Sequence, residues 1–256
     1  MREPDRNMSQ HPANADIVAR AGKASAATPP EDMTRIALIH ATPAAVDPIK
    51  AAFAETWPEP DLVNLLDDSL SRDRALTPEL TDGIFSRFDA LGRYSVSLGA
   101  DAILFTCSAF GPAIERVARS VGIPVLKPNE AMFAEAIVVG GTIGMLATFE
   151  PSIASMSEEF QEQAKQAGAT ASLKSVMVPG AMPALLAGRR EEHDALVAKA
   201  AAALAGCNAI MLAQFSMAPA AARLRAEASV PVLTSPASAV AALKRSVSAA
   251  TSAPRL

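Results

Sequence analysis

Regular hydrophobic patterning begins abruptly at Arg35-Ile36-Ala37-Leu38-Ile39, and from there short apolar runs alternate with amphipathic segments. Ile36–Ala41 reads as a strand, Val46–Glu55 has helical spacing, and Leu62–Leu66 is a second short run. A long amphipathic stretch follows from Pro78, a good first helical residue after Thr77, to Leu98, with Gly99 as its C-cap. Ala102–Thr106 is continuously apolar and too short for a helix, which suits a strand buried on both faces of a parallel sheet. A helix over Pro112–Val121, a run at Ile123–Leu126 and a helix over Ala131–Val139 come next. This alternation predicts a parallel α/β fold.

The second half repeats the first. Asp101-Ala-Ile-Leu-Phe-Thr-Cys107 aligns with Asn208-Ala-Ile-Met-Leu-Ala-Gln214, an offset of 107. The same register lays Ile36–Ile39 on Ile143–Leu146, Phe53 on Phe160, Pro112 on Pro219, and Pro124-Val125-Leu126 on Pro231-Val232-Leu233. One gapless register from first strand to last indicates an internal duplication. The expected architecture is therefore α/β with two pseudo-symmetric lobes, each a parallel sheet flanked by helices. The lobes span 34–140 and 141–246, with the last helix placed to pack back on the first lobe. Residues 1–33 lack periodicity and read as a disordered tail, an upstream extension of a chain starting at Met33; 247–256 read as a frayed end.

Composition narrows the function. Of 256 residues, 50% are hydrophobic and 20% charged, enough for a large core and too apolar for a disordered chain. A net charge of -4 and 4% aromatics give no basis for nucleic acid or an anionic membrane as partner. No run approaches membrane-spanning length, and 1–33 lack the apolar core of a secretory signal. Two cysteines make no disulfide framework, and no Cys/His group has metal-ligand spacing. A reduced, cytoplasmic setting is expected.

Parallel sheets bind ligands beyond the carboxyl ends of their strands, so equivalent positions of the repeat should face each other across a cleft. The pair that matters is Cys107 and Gln214. Cys107 follows a strand and precedes Ser108-Ala109-Phe110-Gly111-Pro112, where a helix begins; a helix N-terminus favours thiolate and should depress its pKa. Cys207 lies at the opposite strand end and receives no role. His40, ending the first strand, is either an acid, a substrate-orienting group or a structural histidine. Thr42 and Thr148 are candidate hydroxyl donors, while His11 and His193 are poorly placed. Asp67–Arg74 reads as a charged, non-periodic loop, a solvated segment or a mobile cover whose Arg72 or Arg74 meets an anion. Gly140-Gly141-Thr142-Ile143-Gly144 precedes its strand, so it is not a dinucleotide loop.

Arg35-Ile-Ala-Leu-Ile-His-Ala-Thr-Pro43, Thr106-Cys107-Ser108, Pro124-Val-Leu126, Thr148 and Val230-Pro-Val-Leu233 resemble the aspartate/glutamate/hydantoin racemase superfamily, which also holds maleate isomerases and arylmalonate decarboxylases. The resemblance covers about residues 34–245. It implies cofactor-independent chemistry at the carbon beside a carboxylate or carbonyl, a small-carboxylate substrate, and self-association. In the racemases one cysteine per lobe flanks the substrate. Cys107 matches the first; Gln214 stands where the second belongs, within Leu212-Ala213-Gln214-Phe215-Ser216. An amide does not exchange protons usefully near neutral pH. The superfamily's decarboxylases keep the second-lobe cysteine instead, the reverse of this chain. The resemblance thus implies a single-thiol isomerase with Cys107 as acid/base or nucleophile. Ser108 and Thr148 would hold carboxylate or enolate oxygens, Thr42 and His40 would stand beside them, and Gln214, Phe215 and Ser216 would form the second-lobe wall. The alternatives are a lyase decarboxylating a malonate-like acid, or a non-catalytic binder of small acids.

Overall fold

The structure, a computed structural model, describes residues 33–77 and 79–252; apart from Met33, the expected N-terminal tail lies outside the described residues. Two four-stranded sheets run in the orders β2-β1-β3-β4 and β6-β5-β7-β8, with every pairing parallel. The first half consists of β1 (Arg35–His40), α1 (Val46–Thr56), β2 (Asp61–Leu66), α2 (Ser69–Leu76), α3 (Asp82–Ser97), β3 (Ala102–Phe105), α4 (Gly111–Ser120), β4 (Val125–Leu126) and α5 (Glu130–Val139). The second comprises β5 (Thr142–Ala147), α6 (Pro151–Gln166), β6 (Ser172–Met177), α7 (Ala181–Leu186), α8 (Arg190–Ala200), β7 (Ala209–Leu212), α9 (Ala221–Glu227), β8 (Val232–Thr234) and α10 (Ser235–Ser252). Short 3-10 turns follow the central strands at Pro43–Ala45, Ser108–Phe110 and Phe215–Ala220, and a fourth spans Ala201–Leu204.

The period-2 alternation of a strand decides which core each side chain enters. From β1, Ile36 and Leu38 join Ile49 and Phe53 of α1, whereas Ala37 and Ile39 join Phe88 of α3 and Ile114 of α4. The helices that close each half come from the other one. Ala239, Val240, Leu243 and Val247 of α10 complete the core under α1, while Met132, Phe133 and Ala136 of α5 pack with Met145 of β5 and Phe160 of α6. The last helix therefore continues through Val247, where the sequence reading ended the ordered chain.

Two sequence expectations are corrected. The stretch from Pro78 to Leu98 does not form one helix: α3 starts at Asp82, with the Thr81 hydroxyl accepting the Ile84 N–H as N-cap. Nor is Asp67–Arg74 a loop. Ser69–Leu76 is helical, and Arg87 of α3 holds it by donating to Asp73 Oδ2 (2.5 Å), Ser69 Oγ (2.5 Å) and Asp67. The repeat register also shifts. It holds at 107 for β1/β5, β3/β7 and β4/β8, but ladder pairing sets Ser172 where Asp61 stands, an offset of 111. The cause is length, since α6 has 16 residues and α1 has 11.

The halves approach closely at Gly111, where a Cβ would lie 2.0 Å from Glu159 Oε1 on α6 and would have to displace that carboxylate. Lys127 Nζ spans the same seam, 2.9 Å from Glu115 and 3.7 Å from Glu159. Among the described residues, no helix is long and apolar enough to cross a membrane.

Candidate active site

The carboxyl ends of β1, β3, β5 and β7 converge on a cavity of about 410 Å³ between the two sheets, within the usual size of a small-molecule site. Of the residues the sequence singles out, Cys107, Gln214, Thr42, Ser108, Phe215 and Ser216 line it. The two lobes supply different chemistry at equivalent positions. At the 107 register, Thr42 opposes Phe149, Thr106 opposes Ala213, and Ser108 opposes Phe215. At the 111 register of the flanking helices, Ser71 corresponds to Met182 and Ala75 to Leu186, and all four line the cavity. The first-lobe wall is hydroxylic, with Asp68 and Arg72 on its lip; the second-lobe wall is largely apolar.

Cys107 is partly exposed at the end of β3, just before the 3-10 turn Ser108–Phe110. Burial pushes its thiol above the ordinary 9.0, outweighing the pull of the Ala109 N–H, the Ser71 hydroxyl and the Arg74 charge toward thiolate. The expected pKa depression is therefore reversed. The turn supplies one N–H, but the cost of taking a thiolate out of water outweighs it, so the protonated thiol is favoured. Next to it, the Ser108 hydroxyl is only 6% exposed and has no hydrogen-bond partner. A buried hydroxyl left unpaired costs about 1–3 kcal/mol, which a ligand oxygen in the cavity would recover.

Gln214 is held from behind. Its Oε1 accepts the Thr148 N–H (2.8 Å) and the Thr148 hydroxyl (3.1 Å), and its Nε2 donates to Ser152 Oγ (2.8 Å). One amide proton remains for the cavity. Thr148 does not line the cavity and is 1% exposed, so its hydroxyl orients Gln214 instead of meeting a ligand directly. Ser152, which has the matching role on the other side of the amide, carries no sequence signal beyond its small polar character.

His40 is likewise behind the wall. It is fully buried, with Nδ1 2.8 Å from Thr106 Oγ1 and Nε2 3.0 Å from Asn64 Oδ1. A neutral ring with its proton on Nε2 donates to Asn64, while the Thr106 hydroxyl lies between His40 Nδ1 and the Ile39 carbonyl (3.3 Å), so the ring positions the segment leading into Cys107. Burial lowers its pKa below 6.5 despite the Asn64 hydrogen bond, with Lys50 acting in the same direction as burial. The unfolded chain takes up this proton near 6.5 and the folded one does not, so stability should fall as pH drops below that value. Thermal unfolding of the native chain and of His40→Asn from pH 8 to 5 checks this; the variant should have the shallower acid slope.

Arg74 cannot meet a substrate as the sequence suggested. It is buried, donating to Ala109 O (3.1 Å) and Thr77 O (2.6 Å), and so ties α2 to the Cys107 turn. Arg72 remains on the lip, 3.8 Å from Asp68 in a solvent-exposed pair. Cys207 is buried in the second-lobe core, away from the cavity.

The fold matches that of known proteins. A glutamate racemase isoform from Bacillus anthracis superposes with a TM-score of 0.66 at 13% identity, covering 85% of this chain and 82% of that one. The aspartate racemase of Picrophilus torridus gives 0.65 at 14% identity, with 84% and 94% covered. A mutant of arylmalonate decarboxylase gives 0.56 at 16% identity, with 84% and 93% covered. No curated protein sequence matches. The sequence model for Asp/Glu/hydantoin racemase matches residues 11–243, nearly the whole chain, and the two-sheet architecture agrees with it. The chain belongs to the Asp/Glu/hydantoin racemase family, whose racemases are isomerases.

Proposed function

We propose that this isomerase-family enzyme carries a small carboxylate or related carbon acid through its enolate, with Cys107 as the single proton-transferring side chain. One observation supports the reading: Cys107 lines the cavity at the end of β3, and the equivalent position of the other lobe is Gln214, an amide oriented by Thr148 and Ser152. Ser108, with its unpaired hydroxyl, and Thr42 would hold the carboxylate or enolate oxygens, and the free Gln214 amide proton would support the same charge from the second lobe. In isomerisation, the thiol must first lose its own proton to solvent water. The thiolate then removes the α-hydrogen, and the enolate accepts a proton back from the same sulfur after reorienting.

The protonated thiol also favours a second reading, decarboxylation of a malonate-like acid. Here the C–C bond to the departing carbon dioxide leaves its electron pair as the enolate. The S–H gives its proton to the α-carbon, and the sulfur is reprotonated by solvent. No base is needed, and Asp68 is committed to the exposed lip with Arg72.

Turnover of candidate acids in heavy water separates the two. Isomerisation should wash deuterium into the α-position of recovered material without gas release. Decarboxylation should release carbon dioxide and fix one deuterium per product. Thermal stabilisation by such acids with neither outcome would leave a binding protein in place of an enzyme.

A further inference from the structure

We infer that the substrate is amphipathic: one carboxylate or enolate end seated on the first lobe and an apolar substituent seated on the second, with Met182 and Leu186 determining specificity. This rests on the proposed enolate chemistry and extends it to a substrate class.

Five first-lobe lining positions, Thr42, Ser71, Ala75, Cys107 and Ser108, have lining counterparts in the second lobe, Phe149, Met182, Leu186, Gln214 and Phe215, so a substrate with two similar polar ends would call for similar side chains at these pairs. Instead, Thr42, Ser108 and Ser71 of the first lobe are answered by Phe149, Phe215 and Met182 of the second. The lip follows the same rule. At the 111 register Asp68 and Arg72 correspond to Pro179 and Pro183, neither of which can offer a charge or a side-chain hydrogen bond. Two second-lobe polar side chains reach the cavity: Gln214, whose oxygen and one amide proton are engaged by Thr148 and Ser152, and Ser216, the one hydroxyl beside Phe149, Met182, Leu186 and Phe215.

Leu186 points the same way. It lines the cavity yet is 70% exposed, one helical turn beyond Met182 on α7. On a short helix at the mouth, that exposed apolar surface gains burial when a ligand reaches it. An apolar substituent resting on Met182 and Leu186 would be favoured by about 25 cal/mol for each Å² it covers. A second carboxylate at that place would be desolvated with no cation to meet it.

Calorimetric titration with phenylacetate and with succinate tests the assignment without requiring turnover. The native chain should bind phenylacetate at least about tenfold more tightly than succinate. Met182→Ser combined with Leu186→Ser should abolish most of that preference while leaving the weak succinate affinity in place. Circular dichroism would verify that the variant is folded, and Leu186→Ser alone, at an exposed position, gives the same directional readout if the double variant is not. Succinate binding as tightly as phenylacetate, no binding of either, or a preference untouched by both variants would each overturn the inference. If the phenylacetate preference appears and depends on Met182 and Leu186 but no acid is turned over, the enolate chemistry falls while the amphipathic site stands.

Discussion

Replacing Cys107 by alanine is expected to lower turnover by about two to four orders of magnitude, the usual contribution of a positioned proton-transfer group. Folding should be little affected, because the thiol is partly exposed and lines a cavity. Serine at this position should not rescue the rate: its hydroxyl is a far weaker acid and an unactivated nucleophile. Cys207→Ala is the matched control, since that sulfur sits in the second-lobe core. The pH profile carries additional information. Because the folded environment raises the Cys107 pKa, its proton-donor form persists through neutrality, and a decarboxylase rate should fall only on the strongly alkaline side. An isomerase, needing thiolate first, should instead gain rate as pH rises through the same region. A Cys107→Ala enzyme with undiminished turnover would remove every thiol mechanism.

The largest stability effect is expected at Phe215. Its ring is 1% exposed and, though it belongs to the second half, it packs in the core formed by Ala45, Ile49 and Ala52 of the first. Phe215→Ala removes a buried aromatic where the surrounding helices cannot collapse fully, at a cost of about 3–5 kcal/mol. The denaturant midpoint should drop accordingly, and activity with it, because the same residue lines the cavity. A loss below about 1 kcal/mol would mean that the seam between the halves closes without this ring.

Where sequence reading succeeded, side-chain periodicity and element length agreed. β1, β3, β5 and β7 are apolar runs buried on both faces, and nothing else in a chain of this composition fits such short runs. Cys107 and Gln214 were legible because they end equivalent strands. α2 was not. Its buried face consists of Leu70 and Arg74 alone, and it is tied down by the pair between Asp73 and Arg87, some distance ahead in the chain. Periodicity finds apolar stripes, not helices held by ion pairs. Met182 and Leu186 escaped notice for another reason: the register of 107 pairs Ala75 with Met182, and only the strand ladders reveal the local shift. The direction of the Cys107 pKa depended on a competition between desolvation and a helix-end N–H, which spacing alone does not weigh.

The exchange of α5 and α10 between the halves means that the molecule cannot be divided at its own seam of duplication. A fragment ending at Gly140 would carry α5 away from the partner it covers, and would leave Ile49 and Phe53 without the helix that shelters them. Neither piece would be a viable miniature of the whole. An ancestral single copy with this wiring would have had to assemble as intertwined twins, each lending its closing helix to the other. In the present chain that exchange is internal, and the two crevice walls carry different side chains.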